Sequence, residues 1–232
     1  MYILGLSGGI ASEIGKSSIS SYLLNKGYYI VDADKLAREA VLVGSYGYKK
    51  IVKEFHRPEE GDDILNPDLT LNRKKLGEII FNNEKKRLKL NSILHPIIRF
   101  MMGWEILKCY LSGYSLIILD VPLLFESSIY KFTSGNVLIY CPVKIQLNRL
   151  MSRDNITLEE ANKRIDSQMK LDDKIKLSNF IVDNSGDLEE SFKQIDQLIK
   201  RINHSKFKTL LWLLIPSGAI AALSYSVYKW IF

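Results

Sequence analysis

The sequence alternates short apolar runs with stretches that have the spacing of amphipathic helices. Of all its features, this alternation restricts the possible folds most strongly. Five of the runs have the length and composition of strands, and they cover residues 2–6, 28–31, 115–119, 137–140 and 180–182. Helical spacing lies between and after them, for example over residues 16–26, 145–152 and 188–199. Strands that are apolar throughout must be buried on both faces. The pattern therefore predicts an α/β fold, with a parallel sheet flanked by helices.

Residues from about 36 to 111 have a mostly helical pattern and separate two consecutive strands of the predicted sheet. A polar loop over residues 57–70 divides this stretch. We interpret it as a helical subdomain that is inserted into the sheet domain.

Composition and charge exclude several classes of protein. An apolar fraction of 47% is normal for a globular chain, and two cysteines with three histidines supply neither a disulfide framework nor a structural zinc site. The positive net charge is concentrated at the end of the chain, because residues 1–199 hold 27 of the 32 basic residues and all 26 acidic ones. The body is nearly neutral, so we expect no binding to nucleic acid.

The last part of the chain, residues 203–232, forms an apolar tail. Residues 209–228 carry no charge, and Lys206, Lys208 and Lys229 flank them. Twenty helical residues rise about 30 Å, the thickness of a bilayer core, so the tail predicts a C-terminal hydrophobic helix that spans a membrane. A helix that packs on the body or lies in the membrane interface is the alternative.

The basic flanks favour a cytosol-facing body anchored by this tail. The run is short, only moderately apolar and basic at both ends. We therefore expect the mitochondrial outer membrane as the first location and the endoplasmic reticulum as the second.

A glycine-rich turn follows the first predicted strand and leads into a helical pattern. Glycines let backbone amides turn towards a polyphosphate, a lysine adds charge at the outer phosphates, and a hydroxyl at the helix start can hold Mg²⁺. The turn therefore predicts an ATP site. Its candidate residues are Gly8, Gly9, Gly15, Lys16, Ser17 and Ser18. A generic turn before an ordinary amphipathic helix is the alternative interpretation.

The spacing in this turn is unusual, because six residues separate Gly8 from Gly15 where a phosphate-binding loop has four. Two extra residues lengthen the chain by several ångströms, more than converging amides tolerate. We expect Ser12, Glu13 and Ile14 to arch away from the phosphates. A collapsed loop in an inert protein is the alternative.

Aspartates stand at the ends of two predicted strands. Asp32 and Asp34 follow the second strand, and Asp120 closes the third. The carboxyl ends of strands are where α/β sheets place their ligands, and alternation along an extended chain would point Asp32 and Asp34 to the same side. One could orient Mg²⁺ or a ligand hydroxyl and the other could accept a proton, whereas a simple helix cap needs only one of them.

Arginines at helical spacing add candidates for phosphate binding. Arg149 and Arg153 lie one helical turn apart, and Arg164 could join them from the following helix. A solvated basic helix face is the alternative. In the inserted segment, His95 and Arg99 could contact an anionic substrate, although a lone histidine is more often structural.

These elements occur in an order that resembles dephospho-coenzyme A (dephospho-CoA) kinase, most closely its fungal members with an apolar tail. The resemblance covers roughly residues 1–202, and its stretches are GLSGGI, GKSS, VDADKLAREAV, LHPIIR, LDVPLLFE and QLNRLMSR. It implies a P-loop NTP kinase fold with a helical substrate subdomain at about 36–111 and a lid at about 143–172. It also implies transfer of the γ-phosphoryl group of ATP to the ribose 3′-hydroxyl of dephospho-CoA, giving CoA and ADP.

The resemblance assigns roles residue by residue. Lys16 would contact the β and γ phosphates, Ser17 the Mg²⁺, and Asp34 would be the base, with Asp32 serving substrate or metal. Asp120 is a metal candidate from its own position, because an aspartate that closes an apolar strand beside a phosphate loop can reach the metal through water. The remaining assignments are Arg38, His95 and Arg99 in the substrate subdomain and Arg149, with Arg153, in the lid.

Two other functions fit the same sequence. One is a kinase for another small hydroxyl substrate, such as a nucleoside or sugar. The other is a membrane-tethered scaffold with an impaired nucleotide loop, which would assemble other enzymes of CoA synthesis.

Overall fold

A computed structural model of the chain describes residues 1–10, 13–60, 63–81 and 83–203. Within these ranges, five strands form one parallel sheet in the order β2-β3-β1-β4-β5. Their bounds are β1 Tyr2–Gly8, β2 Tyr29–Asp32, β3 Leu116–Asp120, β4 Gly135–Tyr140 and β5 Phe180–Asp183. The predicted parallel sheet is confirmed. β1 is two residues longer than predicted, because Ser7 and Gly8 still pair with β4.

Helices connect the strands and cover the sheet. The helices that lie wholly within the described ranges are α1 Glu13–Asn25, α2 Ala33–Glu39, α3 Tyr46–Phe55, α4 Arg73–Phe81, α5 Glu84–Leu111, α6 Val143–Asp154, α7 Leu158–Asp166 and α8 Leu171–Leu177. Residues 188–203 are also helical, and we label them α9.

The sheet is buried on both faces, as the continuous apolar strands require. On one face, α1 and α9 pack against the strands through residues such as Ile19, Leu23, Ile195 and Ile199. On the other face, α2 and α5 cover the strands. The buried residues there include Leu36, Met102, Cys109, Ile117 and Leu119.

The chain between β2 and β3 holds α2 to α5. Its outer part has a core of its own, formed by Ile51, Phe55, Ile64, Leu71, Leu76 and Leu90. The 28-residue helix α5 contributes to this core at its start and to the sheet core at its end. It therefore ties the helical subdomain to the sheet.

Because the strands are parallel, their carboxyl ends meet at one edge of the sheet. The register places Asp120 of β3 beside Leu6 of β1 on one side and beside Asp32 of β2 on the other. The turn that follows β1 begins at Gly9, three residues after Leu6. The glycine turn and the predicted carboxylates thus share this edge.

The predicted C-terminal hydrophobic helix lies in residues 204–232, outside the described ranges. Among the described residues, no helix is long and apolar enough to cross a membrane.

Candidate active site

A buried ion pair connects the glycine turn to the centre of the sheet. The Lys16 ammonium donates to Oδ1 of Asp120, and the hydroxyl of Ser20 donates to Oδ2 of the same carboxylate at 2.5 Å. Lys16 is 7% exposed and Asp120 is 6% exposed. Both carboxylate oxygens are therefore occupied, and a positive charge is fixed beside the turn. Ser20 was not predicted, although it lies one helical turn after Lys16 on α1.

Glu13 and Ile14, two of the three residues predicted to arch outward as a loop, are helical instead. Glu13 and Ile14 form the first turn of α1, so the extra length of the turn is absorbed by an earlier helix start. The prediction is wrong for these two residues because it treated the insertion as loop, whereas helix formation shortens the rise to about 1.5 Å per residue. Ser12 lies outside the described ranges. Backbone amides in a first helical turn have no acceptors within the helix. They can therefore donate hydrogen bonds to a bound anion.

Two side chains that were not predicted as site residues lie directly against the glycines of the turn. A Cβ at Gly9 would lie 2.5 Å from Oε1 of Gln146, and a Cβ at Gly15 would lie 2.5 Å from Cγ of Asn184. Gln146 is fixed by donating from Nε2 to the Cys141 carbonyl at 2.6 Å. A Cβ at position 9 or 15 would therefore force Gln146 or Asn184 to move. Asn184 follows β5 directly, so the strand-end rule that selected Asp120 would also have found it.

Asp32 and Asp34 are not two residues of one extended strand. Asp32 ends β2 and caps α2, because its Oδ1 accepts from the amides of Asp34 and Lys35 at 2.8 and 3.0 Å. Asp34 lies in the first turn of α2. The alternation argument is wrong because the helix begins at Ala33, directly after the strand. For Asp32, the structure shows the capping role that the sequence analysis gave as the alternative.

The Asp34 carboxyl reaches solvent but lies among charged groups of the site. Burial by the surrounding protein raises its pKa above the ordinary aspartate value, and the negative charges of Asp32 and Asp120 act in the same direction. Lys16 and Arg38 act against this increase. Asp34 thus lies at the edge of the sheet and binds a proton more tightly than an ordinary aspartate, as a general base requires.

The lid arginines are engaged in protein contacts. Arg149 on α6 donates from one guanidinium nitrogen to the Asn184 carbonyl at 3.0 Å. Arg153 and Arg164 both bind Asp154, with Nε of Arg153 at 2.7 Å. Arg149 is thus linked to the glycine turn through Asn184, the residue that lies against Gly15.

The predicted substrate residues are accessible. Arg38 lies in the last turn of α2, and His95 and Arg99 lie one turn apart on α5. All three side chains are exposed. Ser17 is also exposed, whereas Ser18 is half-buried on α1.

A cleft of about 620 Å³ opens between the turn and the predicted lid, and its lining includes Gly9, Gln146, Gln168 and Lys174. Lys174 of α8 is 1% exposed. Its ammonium lies 2.8 Å from Oε1 of Glu126 and donates to Oε1 of Gln168 at 3.1 Å. This second buried ion pair joins α8 to the segment after β3, and the sequence analysis missed it.

The oxygen ligands at the site could hold Mg²⁺ together with the phosphates of a bound nucleotide. The described residues contain no group of three or more His, Cys, Asp or Glu side chains that could hold a metal. Magnesium is usually held by one or two protein ligands together with substrate phosphates and water. The Asp120 carboxylate and the exposed Ser17 hydroxyl, next to Lys16, are donors of that kind.

Comparisons with known proteins decide the family. The sequence profile of dephospho-CoA kinase matches residues 2–190. The chain belongs to the dephospho-CoA kinase family. A dephospho-CoA kinase domain-containing protein of Danio rerio is 41% identical over 226 residues, which are 97% of this chain and 93% of the relative. A dephospho-CoA kinase of Arabidopsis thaliana is 38% identical over 92% of this chain and 87% of its own length.

The fold agrees with this assignment. The solved structure of a dephospho-CoA kinase from Campylobacter jejuni superimposes with a TM-score of 0.68 at 27% identity, over 88% of this chain and 98% of that chain. The alignment with the Danio rerio relative covers so much of the chain that it extends into residues 204–232.

Replacing Gly15 with alanine should destabilise the protein, because the new methyl group overlaps the buried Asn184 side chain. We expect a loss of about 1 to 3 kcal/mol in the free energy of unfolding, measured by denaturant titration. Gly77→Ala is the matched control, since no atom lies within 4 Å of its Cβ position on α4, and it should be neutral or stabilising. The double variant Gly15→Ala with Asn184→Ala should recover part of the loss, and strict additivity would contradict the proposed overlap.

Lys174→Met should destabilise the protein by about 3 to 5 kcal/mol, because it leaves the Glu126 carboxylate without its cation. Adding Glu126→Gln should restore most of this stability, and a double-mutant cycle of unfolding measures the coupling. Lys176→Met on the same helix is the control, since that ammonium is exposed and its pair with Asp173 should contribute below about 1 kcal/mol. Equal effects at positions 174 and 176 would show that the buried pair does not hold α8.

Proposed function

We propose that this chain transfers the γ-phosphoryl group of ATP to the ribose 3′-hydroxyl of dephospho-CoA, giving CoA and ADP. One observation carries the proposal within this kinase family. The buried Lys16–Asp120 pair fixes a cation beside the glycine turn, and the same sheet edge holds Asp34, a carboxyl whose pKa is raised. A phosphate-binding cation and a proton acceptor at one edge are the parts that phosphoryl transfer to a hydroxyl requires.

Lys16 and the turn would bind the phosphates of ATP. Amides in the first turn of α1 and the Lys16 ammonium place positive charge where the outer phosphates develop negative charge. Gln146 and Asn184 hold the turn in place, and Arg149 supports it through the Asn184 carbonyl. Asn184 Nδ2 is buried with no hydrogen-bond partner among the described residues, so a donor remains next to Gly15.

Asp34 would accept the proton of the attacking hydroxyl. Its raised pKa strengthens it as a base, and the positive charges of Lys16 and Arg38 stabilise its ionised form. Ser17 and Asp120 would hold Mg²⁺, which when bound neutralises charge on the phosphates. The accessible residues Arg38, His95 and Arg99 would bind the anionic groups of dephospho-CoA, with Asp32 holding the start of α2.

The domain roles follow from this assignment. Residues 1–202 would form the kinase domain, the helices at about 36–111 would bind dephospho-CoA, and residues 143–172 would close over ATP. The cleft between the glycine turn and Lys170 of that segment supports the lid role.

The apolar tail, residues 203–232, supports a further proposal, attachment to a cytosol-facing membrane. The uncharged run of residues 209–228 with its basic flanks carries it. The mitochondrial outer membrane is the first candidate and the endoplasmic reticulum the second. Attachment would also allow contact with other enzymes of CoA synthesis.

The direct test is turnover by the full chain in detergent, with ATP, Mg²⁺ and dephospho-CoA, followed for ADP and CoA. We expect stoichiometric formation of both products, and competition by excess nucleoside or sugar should be weak. Faster ADP formation with a nucleoside or sugar would favour a kinase of another hydroxyl substrate. ATP binding without turnover would favour an impaired scaffold.

Asp34→Asn should lower turnover by about 10² or more while leaving ATP affinity within a few fold, because it removes the base but not the phosphate contacts. In the wild type, turnover should fall as pH decreases through the raised pKa of Asp34, at higher pH than an ordinary aspartate would give. This decrease should be absent in the variant. Near-normal turnover by the variant would remove Asp34 from the mechanism.

Asp34→Asn should lower turnover but increase the stability of the folded protein. A pKa that is raised on folding means that the ionised carboxylate destabilises the folded state at neutral pH. Asp34→Asn should therefore raise Tm at neutral pH, and the gain should disappear below the ordinary pKa of aspartate. Glu189→Gln, at an exposed position of α9, is the control and should change Tm little at either pH.

A further inference from the structure

The outer face of α5 carries an exposed apolar stripe, defined here as Phe100, Trp104, Leu107 and Leu111. Their spacing of four, three and four residues places them on one side of the helix. Their exposed fractions are 73%, 54%, 43% and 75%. The inner side of the same helix is buried against the sheet through Met102 and Cys109, so the stripe faces away from the core.

The stripe is larger than the scattered apolar residues of an ordinary surface. Tyr110 adjoins it and is also largely exposed. At about 200 Å² for a whole aromatic side chain, the exposed parts of Phe100, Trp104 and Tyr110 alone present on the order of 400 Å². Contiguous patches of this size usually mark an interaction surface.

The stripe reaches the edge of the sheet that lies opposite the active site. α5 ends at Leu111, and β3 begins five residues later at Leu116, so the end of α5 lies at the amino edge of the sheet. α9 returns from β5 towards the same edge, because Ile202 packs in one cluster with Leu116. Residue 203 therefore lies at this edge too, and the apolar tail continues from there.

The distance to the tail is short. Five residues lie between residue 203 and the start of the uncharged run at 209, and the six Cα–Cα steps across them span at most about 20 Å. This span is similar to the thickness of the sheet plus one layer of helices, which is the separation between α9 and α5 on opposite faces. A membrane into which the tail inserts would therefore also be in reach of the end of α5.

The charges beside the stripe favour an anionic partner over a second copy of the chain. Lys108 is exposed near the end of α5, and Lys200 and Arg201 are exposed on α9 at the same edge. Glu105, the carboxylate nearest to the stripe, is paired with Lys108 and accepts from the Tyr29 hydroxyl at 2.8 Å. Two copies that meet through this face would bring like charges together.

We infer that the stripe is a membrane-contact surface that lies in the interface of an anionic bilayer. Tryptophan, tyrosine, phenylalanine and leucine beside lysine and arginine are typical of helices that lie in this zone. The inference rests on the proposed membrane attachment and adds a second contact to it. It also orients the enzyme, because the carboxyl edge of the sheet then faces the aqueous phase from which ATP and dephospho-CoA come.

Fluorescence of single-tryptophan variants of the full chain tests the inference. Trp212→Phe with Trp230→Phe leaves Trp104 as the reporter of the stripe, and Trp104→Phe with Trp230→Phe leaves Trp212 as the reporter of the tail. The probes are phosphatidylcholine vesicles with phosphatidylserine, with or without bromine on the acyl chains. We expect Trp104 emission to shift to shorter wavelength and to be quenched several-fold by the brominated lipid.

Adding Leu107→Glu and Leu111→Glu should abolish most quenching of Trp104 but leave that of Trp212 unchanged. Phe81→Glu is the matched control, because this side chain is exposed and apolar but lies on α4, and it should not alter either signal. Both variants should keep wild-type turnover without vesicles, since none of these residues belongs to the proposed site.

Four outcomes would overturn the inference. Quenching of Trp212 without quenching of Trp104 would mean that the tail alone contacts the bilayer, and absence of both signals would reject the tail and the stripe together. Trp104 emission that depends on protein concentration without vesicles would assign the stripe to self-association. Shielding of Trp104 in a monomer without vesicles would show that the tail covers it. Quenching of Trp104 alone would instead retain the stripe and reject the tail.

Discussion

The buried ion pair between Lys16 and Asp120 is the interaction on which the rest of the site depends. An ammonium that is more than nine-tenths buried requires an opposite charge, and Asp120 supplies it from the end of β3. The pair connects the helix after β1 to the neighbouring strand. It also keeps a positive charge where the glycine turn and the start of α1 already favour an anion. The same contact therefore serves the fold and the phosphate site.

A second buried pair repeats this arrangement on the lid side. Lys174 of α8 is held by Glu126, only six residues after Asp120. The end of β3 and the short segment after it thus anchor both the glycine turn and the helix at the end of the predicted lid. Replacing either lysine leaves a mostly buried carboxylate without its cation, so each pair links local stability to the shape of the cleft beside the glycine turn. The accessible edge between them contains Asp34, the residue that the proposed reaction uses as a base.

The sequence predicts the parts of this protein that depend on local pattern. Continuous apolar runs identify the strands, and the position of Asp120 at the end of one of them marks it as a site residue. The start of α1 at Glu13 is not predicted, because a glycine-rich turn of unusual length gives no sign that its end is helical. Gln146 and Lys174 are missed for a different reason. Their roles arise from contacts with segments far away in the chain, and neither position is distinctive by itself.

The claim that Lys16 is held between Asp120 and the phosphates of ATP can be tested by one comparison of thermal stability. Tm is measured for the wild type and Asp120→Asn, with and without saturating ATP in the presence of EDTA. Without ATP, the variant should melt at lower temperature, because the buried Lys16 ammonium then lacks the carboxylate that it contacts directly. ATP should narrow the difference, since its phosphates replace the missing charge and ligand binding stabilises the folded state. A difference that is unchanged or larger with ATP would contradict the account.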